Sequence, residues 1–154
     1  MKVRKADIDD VERIMYVINS TNAEHFKDII PPPHFRSPVL NEVQVVDLIN
    51  RMSFIVSELD GNVVGVAASD ESEPGIIDVH WVYVLVEFQG RGIGTRMVTD
   101  IEEKARRRNL MTARLATPEG ALWAIRFYES MGYMVTGRKH NPWGYDVVLE
   151  KRLD

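Results

Sequence analysis

The chain of 154 residues contains no cysteine. It therefore has no disulfide framework, no thiolate zinc site and no cysteine nucleophile for covalent acyl transfer. It also lacks any apolar run near the ~20 residues that cross a bilayer, and its start, Met1–Arg4, has no apolar signal core. These absences predict a cytoplasmic protein that does not insert into a membrane.

Positive charge is not in excess either. The formal net charge is −4, with 19 Lys and Arg against 23 Asp and Glu. This balance argues against a nucleic-acid-binding protein, because such proteins need a clustered basic face. The run Arg106–Arg108 falls at the end of a predicted helix, where cations complement the negative end of the helix dipole. The length of 154 residues predicts a single domain over residues 1–154, and 45% hydrophobic and 27% charged residues are ordinary values for a globular protein.

Hydrophobic periodicity predicts an α/β protein with the element order β-α-α-β-β-β-α-β-α-β-β. The first helix is predicted to end near Asn19, before a proline-rich irregular stretch. A second helix is predicted to start at Ser37 and Pro38, which fit an N-cap and a first helical position. Asp60 and Gly61 separate two β-rich segments, a pattern typical of a two-residue hairpin turn of the I′ type.

Two further local predictions concern the second half of the chain. Thr117 and Pro118 fit an N-cap and a first helical residue, so a helix is predicted from there to Met131. In the helix before it, Glu102 and Arg106 are four residues apart and are predicted to form an ion pair on the exposed face.

A glycine-rich segment, Gln89–Thr95, joins the strand-like run Val79–Val86 to the helical run Arg96–Arg108. Such a turn exposes backbone N–H groups and the positive end of the helix dipole, which together bind phosphate, and Arg91 adds positive charge. The chain has no Gly-Lys-Ser or Gly-Lys-Thr tripeptide, which excludes a P-loop. Thr95 stands where a dinucleotide fingerprint needs its third glycine, so the Rossmann interpretation is also weak.

The glycine segment fits a Gln-x-x-Gly-x-Gly pattern at Gln89, Gly92 and Gly94. A second motif, Ala124–Tyr133, reads Ala-Ile-Arg-Phe-Tyr-Glu-Ser-Met-Gly-Tyr. With the element order around them, both motifs resemble the GNAT superfamily of N-acetyltransferases, and the resemblance spans Val3–Leu149. It implies a single-domain GNAT fold, with a mixed, mostly antiparallel sheet flanked by helices and with strands four and five splayed apart. It also implies an acetyl-CoA-dependent N-acetyltransferase without a metal, in which an amine attacks the thioester directly in a ternary complex.

The resemblance assigns residues to acetyl-CoA and to catalysis. The gap between the splayed strands would admit the pantetheine arm, which pairs with unsatisfied backbone groups of strand four. Tyr128 is implied as the general acid for the departing CoA thiolate, although its spacing alone fits the apolar stripe of a helix. Ala121 stands where many relatives carry a pantetheine-binding asparagine. The implied cofactor-binding residues are Val82, Tyr83, Val84, Gln89, Gly90, Arg91, Gly92, Ile93, Gly94 and Thr95.

The general base is left open between two residues of strand four and a water. Family bases often lie on this strand, and the matching position is Asp78. His80, two residues on and on the same nominal face, has an intrinsic pKa better suited to the task. Both residues are also ordinary constituents of a strand, so the pattern does not choose between them.

The acceptor is predicted to be an amine-bearing small molecule, a protein N-terminus or a lysine. The resemblance puts it between the stretch Thr21–Ser37 and the turn Asn141–Gly144. A catalytically weak CoA-binding or sensing module of the same fold is the alternative function, and pairing of edge strands would allow a homodimer. Candidate residues for the acceptor walls are His25, Phe26, His34, Phe35 and Trp143.

Overall fold

The computed structural model describes residues 1–35 and 38–154. Within these ranges the chain forms seven strands and four α-helices. The strands are β1 (Lys2–Lys5), β2 (Ser53–Leu59), β3 (Asn62–Glu73), β4 (Ile76–Val84), β5 (Thr112–Pro118), β6 (Met134–Asn141) and β7 (Gly144–Arg152). The helices are α1 (Val11–Phe26), α2 (Glu42–Arg51), α3 (Ile93–Arg107) and α4 (Leu122–Ser130).

All seven strands join one mixed sheet in the order β1-β2-β3-β4-β5-β7-β6. Neighbours are antiparallel except β4 and β5, which are parallel. The helices cover both faces, since Phe26 of α1 contacts Tyr83 on one side and Met97 of α3 lies against Gly65 on the other. This arrangement confirms the predicted α/β class and the predicted sheet.

The two central parallel strands separate along their length. β4 and β5 are paired only from Ile76 opposite Thr112 to Asp78 opposite Arg114. Beyond Asp78, the described parts of β4 and β5 form no further ladder, so backbone N–H and C=O groups on the facing edges are left for other partners. The predicted splaying of strands four and five is therefore confirmed, and it opens the sheet beside the glycine-rich loop.

The first hairpin has the turn that the sequence predicts. Asp60 and Gly61 have φ values of 53° and 81°, and a type I′ turn requires a positive φ at both of its central residues. The turn matches the right-handed twist of β2 and β3, which it joins.

The first two helices differ from the sequence-based prediction. α1 continues to Phe26 instead of ending near Asn19. α2 begins at Glu42 after the N-cap Asn41, whose side chain accepts a hydrogen bond from the Gln44 N–H at 2.9 Å. The Gln44 side chain bonds back to the Asn41 N–H at 2.9 Å, a reciprocal cap that fixes the start of the helix. The predicted N-cap Ser37 lies outside the described residues.

Two predictions about the second half are wrong. α4 begins at Leu122, because Thr117 and Pro118 pair with β7 as the last residues of β5. Glu102 is only 2% exposed and belongs to the buried face of α3. Instead of pairing with Arg106, its carboxylate accepts hydrogen bonds from the Tyr133 hydroxyl at 2.7 Å and the Lys151 ammonium at 3.0 Å, contacts that only the folded sheet brings together.

Candidate active site

A cavity of about 970 Å³ opens where β4 and β5 separate. It extends from the glycine-rich loop, along both strands, to α1 and α2 on one face of the sheet. The residues that line it include most of the sequence-predicted site. These are His80, Val82, Tyr83, Val84, Gln89, Gly90, Gly92, Ile93, Gly94, Thr95 and Tyr128.

A β-bulge shapes the β4 wall of this cavity. His80 is opposite Ala68 and Tyr83 is opposite Val66, so β4 has one residue more than β3 between these pairs. Trp81, inside the bulge, has a φ of 52°, which is left-handed and strained for a residue with a side chain. The extra residue shifts the alternation of side chains, so that His80 and Tyr83 both line the cavity, although an unbroken strand would put them on opposite faces.

The glycine-rich loop ends at an open helix terminus. Gly90 and Gly92 have φ values of 79° and 80°, and Gly92 is the N-cap of α3 with no side-chain capping bond. A Cβ on either glycine would meet no atom within 4 Å, so the space in front of the loop is clear. The first N–H groups of α3 and its positive dipole end therefore face an unobstructed anion-binding position.

Two side chains of this segment have contacts that the sequence did not indicate. The Gln89 amide donates a hydrogen bond to the Val84 carbonyl at 2.8 Å, which ties the loop to the end of β4. The Arg91 guanidinium lies over the Phe88 ring, 5.1 Å from its centroid, and Arg91 is not among the residues that line the cavity. Gln89 thus supports the loop, and Arg91 stands at its exposed side.

Tyr128 lies in the cavity wall and is only 8% exposed. Its ring packs edge-on against Tyr133, with the ring centroids 5.6 Å apart. Burial, and then the nearby Tyr83 hydroxyl, raise the pKa of Tyr128 above its ordinary value. Burial also raises the pKa of Tyr83, to about 12. Both phenols therefore keep their protons at neutral pH, as a proton donor must.

The two candidate bases have different surroundings. His80 lines the cavity, and its Nε2 lies 2.9 Å from Oδ1 of Asp70. Asp78 is 8% exposed and is not among the lining residues. Its carboxylate accepts hydrogen bonds from Arg114 Nε at 2.9 Å and from the Ser72 hydroxyl at 2.5 Å. Burial alone would raise the pKa of Asp78, but these two bonds outweigh it and the pKa is lowered.

The end of α1 places the predicted His25 and Phe26 in the cavity lining. It also contributes two lining residues that the sequence analysis did not single out, Thr21 and Asn22. They continue the sheet-facing stripe of Ile14, Val17 and Ile18, and the change from apolar to polar residues in this stripe was the available signal. The His25 ring also lies 5.4 Å from the Trp123 ring of α4, and its Nε2 is 3.0 Å from the Gln89 amide. The helix end therefore bridges the opening in the sheet.

The predicted acceptor walls approach each other. The His34 ring lies 6.1 Å from the Trp143 ring, so the segment after α1 meets the β6–β7 turn. Of the five predicted wall residues, His25, Phe26 and Trp143 line the cavity, whereas His34 and Phe35 do not. Asp146 is a further lining residue, and its carboxylate accepts a hydrogen bond from the Asn141 amide at 2.8 Å.

Within residues 1–35 and 38–154, no group of three or more His, Asp or Glu side chains is arranged to hold a metal ion. In the same ranges, no helix is long and apolar enough to span a membrane.

A family model described as the acetyltransferase (GNAT) family matches residues 18–133. This match covers most of the chain, and the chain therefore belongs to the GNAT family of acyltransferases. The match confirms both the family and the enzyme class predicted from the two motifs.

Several known proteins are similar over nearly the whole chain. An uncharacterised N-acetyltransferase of Archaeoglobus fulgidus is 29% identical over 84% of this chain and 90% of its own. The S-alkylcysteine N-acetyltransferase of Bacillus subtilis is 26% identical over 97% of this chain and 88% of its own. The PaiA N-acetyltransferase of Thermoplasma acidophilum, solved in complex with coenzyme A, has a TM-score of 0.85 at 17% identity and covers 98% of both chains. The structural similarity confirms the fold.

Proposed function

We propose that this protein transfers an acetyl group from acetyl-CoA to a primary amine by direct attack in a ternary complex. The observation that carries the proposal is one continuous cavity, which joins the open N-terminus of α3 to Tyr128 and His80 through the gap between β4 and β5. The coenzyme A complex of the similar PaiA N-acetyltransferase supports the choice of acetyl donor.

The residues of the cofactor half fit the parts of coenzyme A. The N–H groups of Ile93, Gly94 and Thr95 would bind the pyrophosphate, and Arg91 would add a charge-assisted contact. The backbone of Val82–Val84 would pair with the pantetheine amides, in the place that a β5 ladder leaves open. Ala121, the N-cap of α4, has no side-chain amide. At this position the pantetheine arm would therefore be bound by backbone groups or by water.

His80 is the stronger of the two candidates for the general base. Its Nε2 lies 2.9 Å from Asp70 Oδ1. In the tautomer with the proton on Nε2, Asp70 would accept that hydrogen bond and Nδ1 would be left to take a proton from the acceptor amine. This step is needed because an amine with a pKa near ~10 is about 99.9% protonated at pH 7. Asp78 is less suited, since a carboxylate with a lowered pKa is a weak base and its oxygens already bind Arg114 and Ser72.

Tyr128 would protonate the departing thiolate. Its raised pKa keeps the hydroxyl neutral, and it lines the cavity that the thioester of a bound donor would enter. A thiol of pKa ~8.5 leaves readily, so the acid contributes at most about 10²-fold to the rate. An N–H of the β4 bulge would stabilise the negative charge that develops on the carbonyl oxygen.

Binding and turnover are tested separately. Isothermal titration is expected to detect acetyl-CoA binding, and thiol release is expected to depend on both acetyl-CoA and an amine. Binding without thiol release from any amine would favour a catalytically weak CoA-binding or sensing module instead. No binding at millimolar acetyl-CoA would contradict the proposed function altogether.

The base assignment is tested with a matched pair on β4. His80→Gln is expected to lower kcat at pH 7 by about 10²-fold or more and to leave the KM for acetyl-CoA near normal. Asp78→Asn keeps the shape of a residue outside the cavity lining, and it is expected to retain most of kcat. The opposite result would transfer the role to Asp78.

A further inference from the structure

The end of β3 carries two polar side chains that reach the candidate bases on β4. The Ser72 hydroxyl donates a hydrogen bond to the Asp78 carboxylate at 2.5 Å. Asp70, two residues earlier and on the same face of the strand, has its Oδ1 2.9 Å from Nε2 of His80. Each candidate base therefore has a partner of its own on the neighbouring strand.

The pairing of β3 with β4 puts Asp70 within reach of the His80 ring. Asp70 is opposite Asp78 and His80 is opposite Ala68, so Asp70 and His80 are diagonal neighbours across the two strands. Diagonal neighbours on one face of a sheet interact when a side chain is long or aromatic. Ala68 is fully buried and puts only a methyl group beside the ring. The register of the strands thus gives His80 a carboxylate as its diagonal partner.

The charges around His80 favour a ring that becomes positive. Asp70 and Asp78 are directly opposite each other, and like charges in such a pair repel. A cation on His80 would relieve this repulsion. Burial acts to raise the pKa of Asp78, whereas Arg114, Ser72 and the charge of His80 lower it. An imidazolium at His80 therefore interacts with both carboxylates, and it is bonded to Asp70.

From this arrangement we infer that Asp70 is a positioning residue, which fixes the tautomer and the direction of the His80 ring. Asp70 accepts the hydrogen bond from the Nε2–H group, and the resulting tautomer has no proton on Nδ1. Asp70 is not among the residues that line the active-site cavity, so it acts through His80. The inference rests on the proposed function, because it assigns a partner to the proposed base.

The proton transfer that Asp70 supports takes place at Nδ1 of His80. One N–H bond of the acceptor ammonium breaks, and its electron pair stays on the amine nitrogen, which attacks the thioester. The proton forms an Nδ1–H bond with the ring, which becomes an imidazolium. Asp70 receives no proton, and its negative charge stabilises the imidazolium until the Nδ1 proton passes to water.

The hydrogen bond is tested without turnover by nitrogen NMR of the four histidine rings, with His80→Gln identifying the His80 signals. At a pH of about 9, where an ordinary histidine is neutral, the parent protein is expected to carry the His80 proton on Nε2. In Asp70→Asn the side-chain amide can donate to Nε2, so a large share of the rings is expected to carry the proton on Nδ1. The same tautomer in both proteins, or a proton on Nδ1 in the parent, would overturn the inference.

Turnover is tested by thiol release at saturating acetyl-CoA. The acceptors are phenethylamine, S-ethylcysteine, kanamycin and a peptide with a free N-terminus and a lysine. With the best of these, Asp70→Asn is expected to lower kcat about tenfold and to leave the KM for acetyl-CoA unchanged. A larger loss is not expected, because the side chains of Asp70 and His80 are 34% and 38% exposed and water screens their interaction.

Two single variants accompany this measurement. Asp70→Glu keeps the carboxylate and is expected to lose less kcat than Asp70→Asn. Glu71→Gln is the matched control, since it removes a neighbouring carboxylate of β3 that binds Arg108 instead, at 2.6 Å. It should keep the kcat of the parent protein. Full kcat in Asp70→Asn, or an equal loss in Glu71→Gln, would overturn the inference and leave the proposed function intact.

A double variant separates positioning from a structural role. When His80→Gln is already present, Asp70→Asn has no base left to position, and it is expected to lower kcat by less than about twofold more. A further tenfold loss in that background would mean that Asp70 acts independently of His80, and would overturn the inference. Acetyl-CoA binding without thiol release from any of the four acceptors would count against the proposed function itself, while the NMR result would still decide the hydrogen bond.

Discussion

Two neighbouring tyrosines give the sharpest test of the catalytic assignment. Tyr128 and Tyr133 are both buried and their rings are in contact, yet their hydroxyls have different surroundings. The Tyr128 side chain lines the cavity, whereas the Tyr133 hydroxyl donates to buried Glu102 at 2.7 Å. Replacing each by phenylalanine removes one oxygen atom and keeps the ring, so the pair separates catalysis from stability.

The expected magnitudes follow from these contacts. Tyr128→Phe removes the proposed proton donor and is expected to lower kcat by up to about 10²-fold, or about 2.7 kcal/mol of transition-state stabilisation. Tyr133→Phe removes a buried hydrogen bond to a charged group and is expected to cost about 1.5–3 kcal/mol of unfolding free energy. Glu102 then keeps only its contact with Lys151 at 3.0 Å.

Both variants are assayed in the same two ways. Thiol release gives kcat and the KM for acetyl-CoA, and urea denaturation gives the free energy of unfolding. We expect a loss of kcat with near-normal stability for Tyr128→Phe, and a loss of stability with near-normal kcat for Tyr133→Phe. Full kcat in Tyr128→Phe would refute its role as the acid. An equal loss of kcat in both variants would mean that ring packing, rather than the hydroxyl of Tyr128, controls the rate.

Two further predictions concern the loop and the response to alkali. Gly92→Ala and its control Gly61→Ala both put a side chain at a φ near +80° with no atom within 4 Å. Each should therefore cost about 1–2 kcal/mol of stability. Only Gly92→Ala should raise the KM for acetyl-CoA, and an equal KM in both variants would contradict the pyrophosphate assignment. The pKa values of Tyr83, Tyr128 and Tyr133 are all raised, chiefly by burial. The unfolded chain therefore loses these protons near pH ~10, while the folded protein retains them. The contribution of each tyrosine to the free energy of unfolding is fully present below that pH, and it should fall by about 1.4 kcal/mol per pH unit as the pH rises further. Denaturation curves between pH 9 and 11.5 should show a shallower fall in Tyr133→Phe than in the parent protein, and identical slopes would contradict this account.

Some predictions stay open after the structure. The roles of the site residues, the cytoplasmic location and a homodimer remain predictions. β6 is an edge strand of the sheet and most of it is exposed, which leaves an edge available for pairing. Size measurement in solution would test the homodimer directly.

Local chemistry explains what the sequence determined by itself. The glycines of the loop, the Asp60–Gly61 turn and the order of the elements were all predictable, because backbone conformation at glycine and hydrophobic period depend on residues close in the chain. The two motifs around Gly92 and Tyr128 then identified the family. The predicted starts of α2 and α4 were less accurate, because several nearby residues have side chains that can cap a helix. Asn41 is the N-cap of α2, whereas the predicted N-cap Thr117 lies in β5.

Only the tertiary structure decided which polar side chains belong to the site. Asp78 and His80 were predicted on the same face of a strand. The Asp78 carboxylate accepts a hydrogen bond from Arg114, which is distant in the sequence, whereas His80 lines the cavity. Glu102 was predicted on the exposed face of its helix, but in the folded protein it is buried and bonded to Lys151 of β7. Thr21 and Asn22 line the cavity because α1 continues to Phe26 beside the gap between β4 and β5. Such contacts depend on how distant segments pack together, and the spacing of residues along one segment does not contain that information.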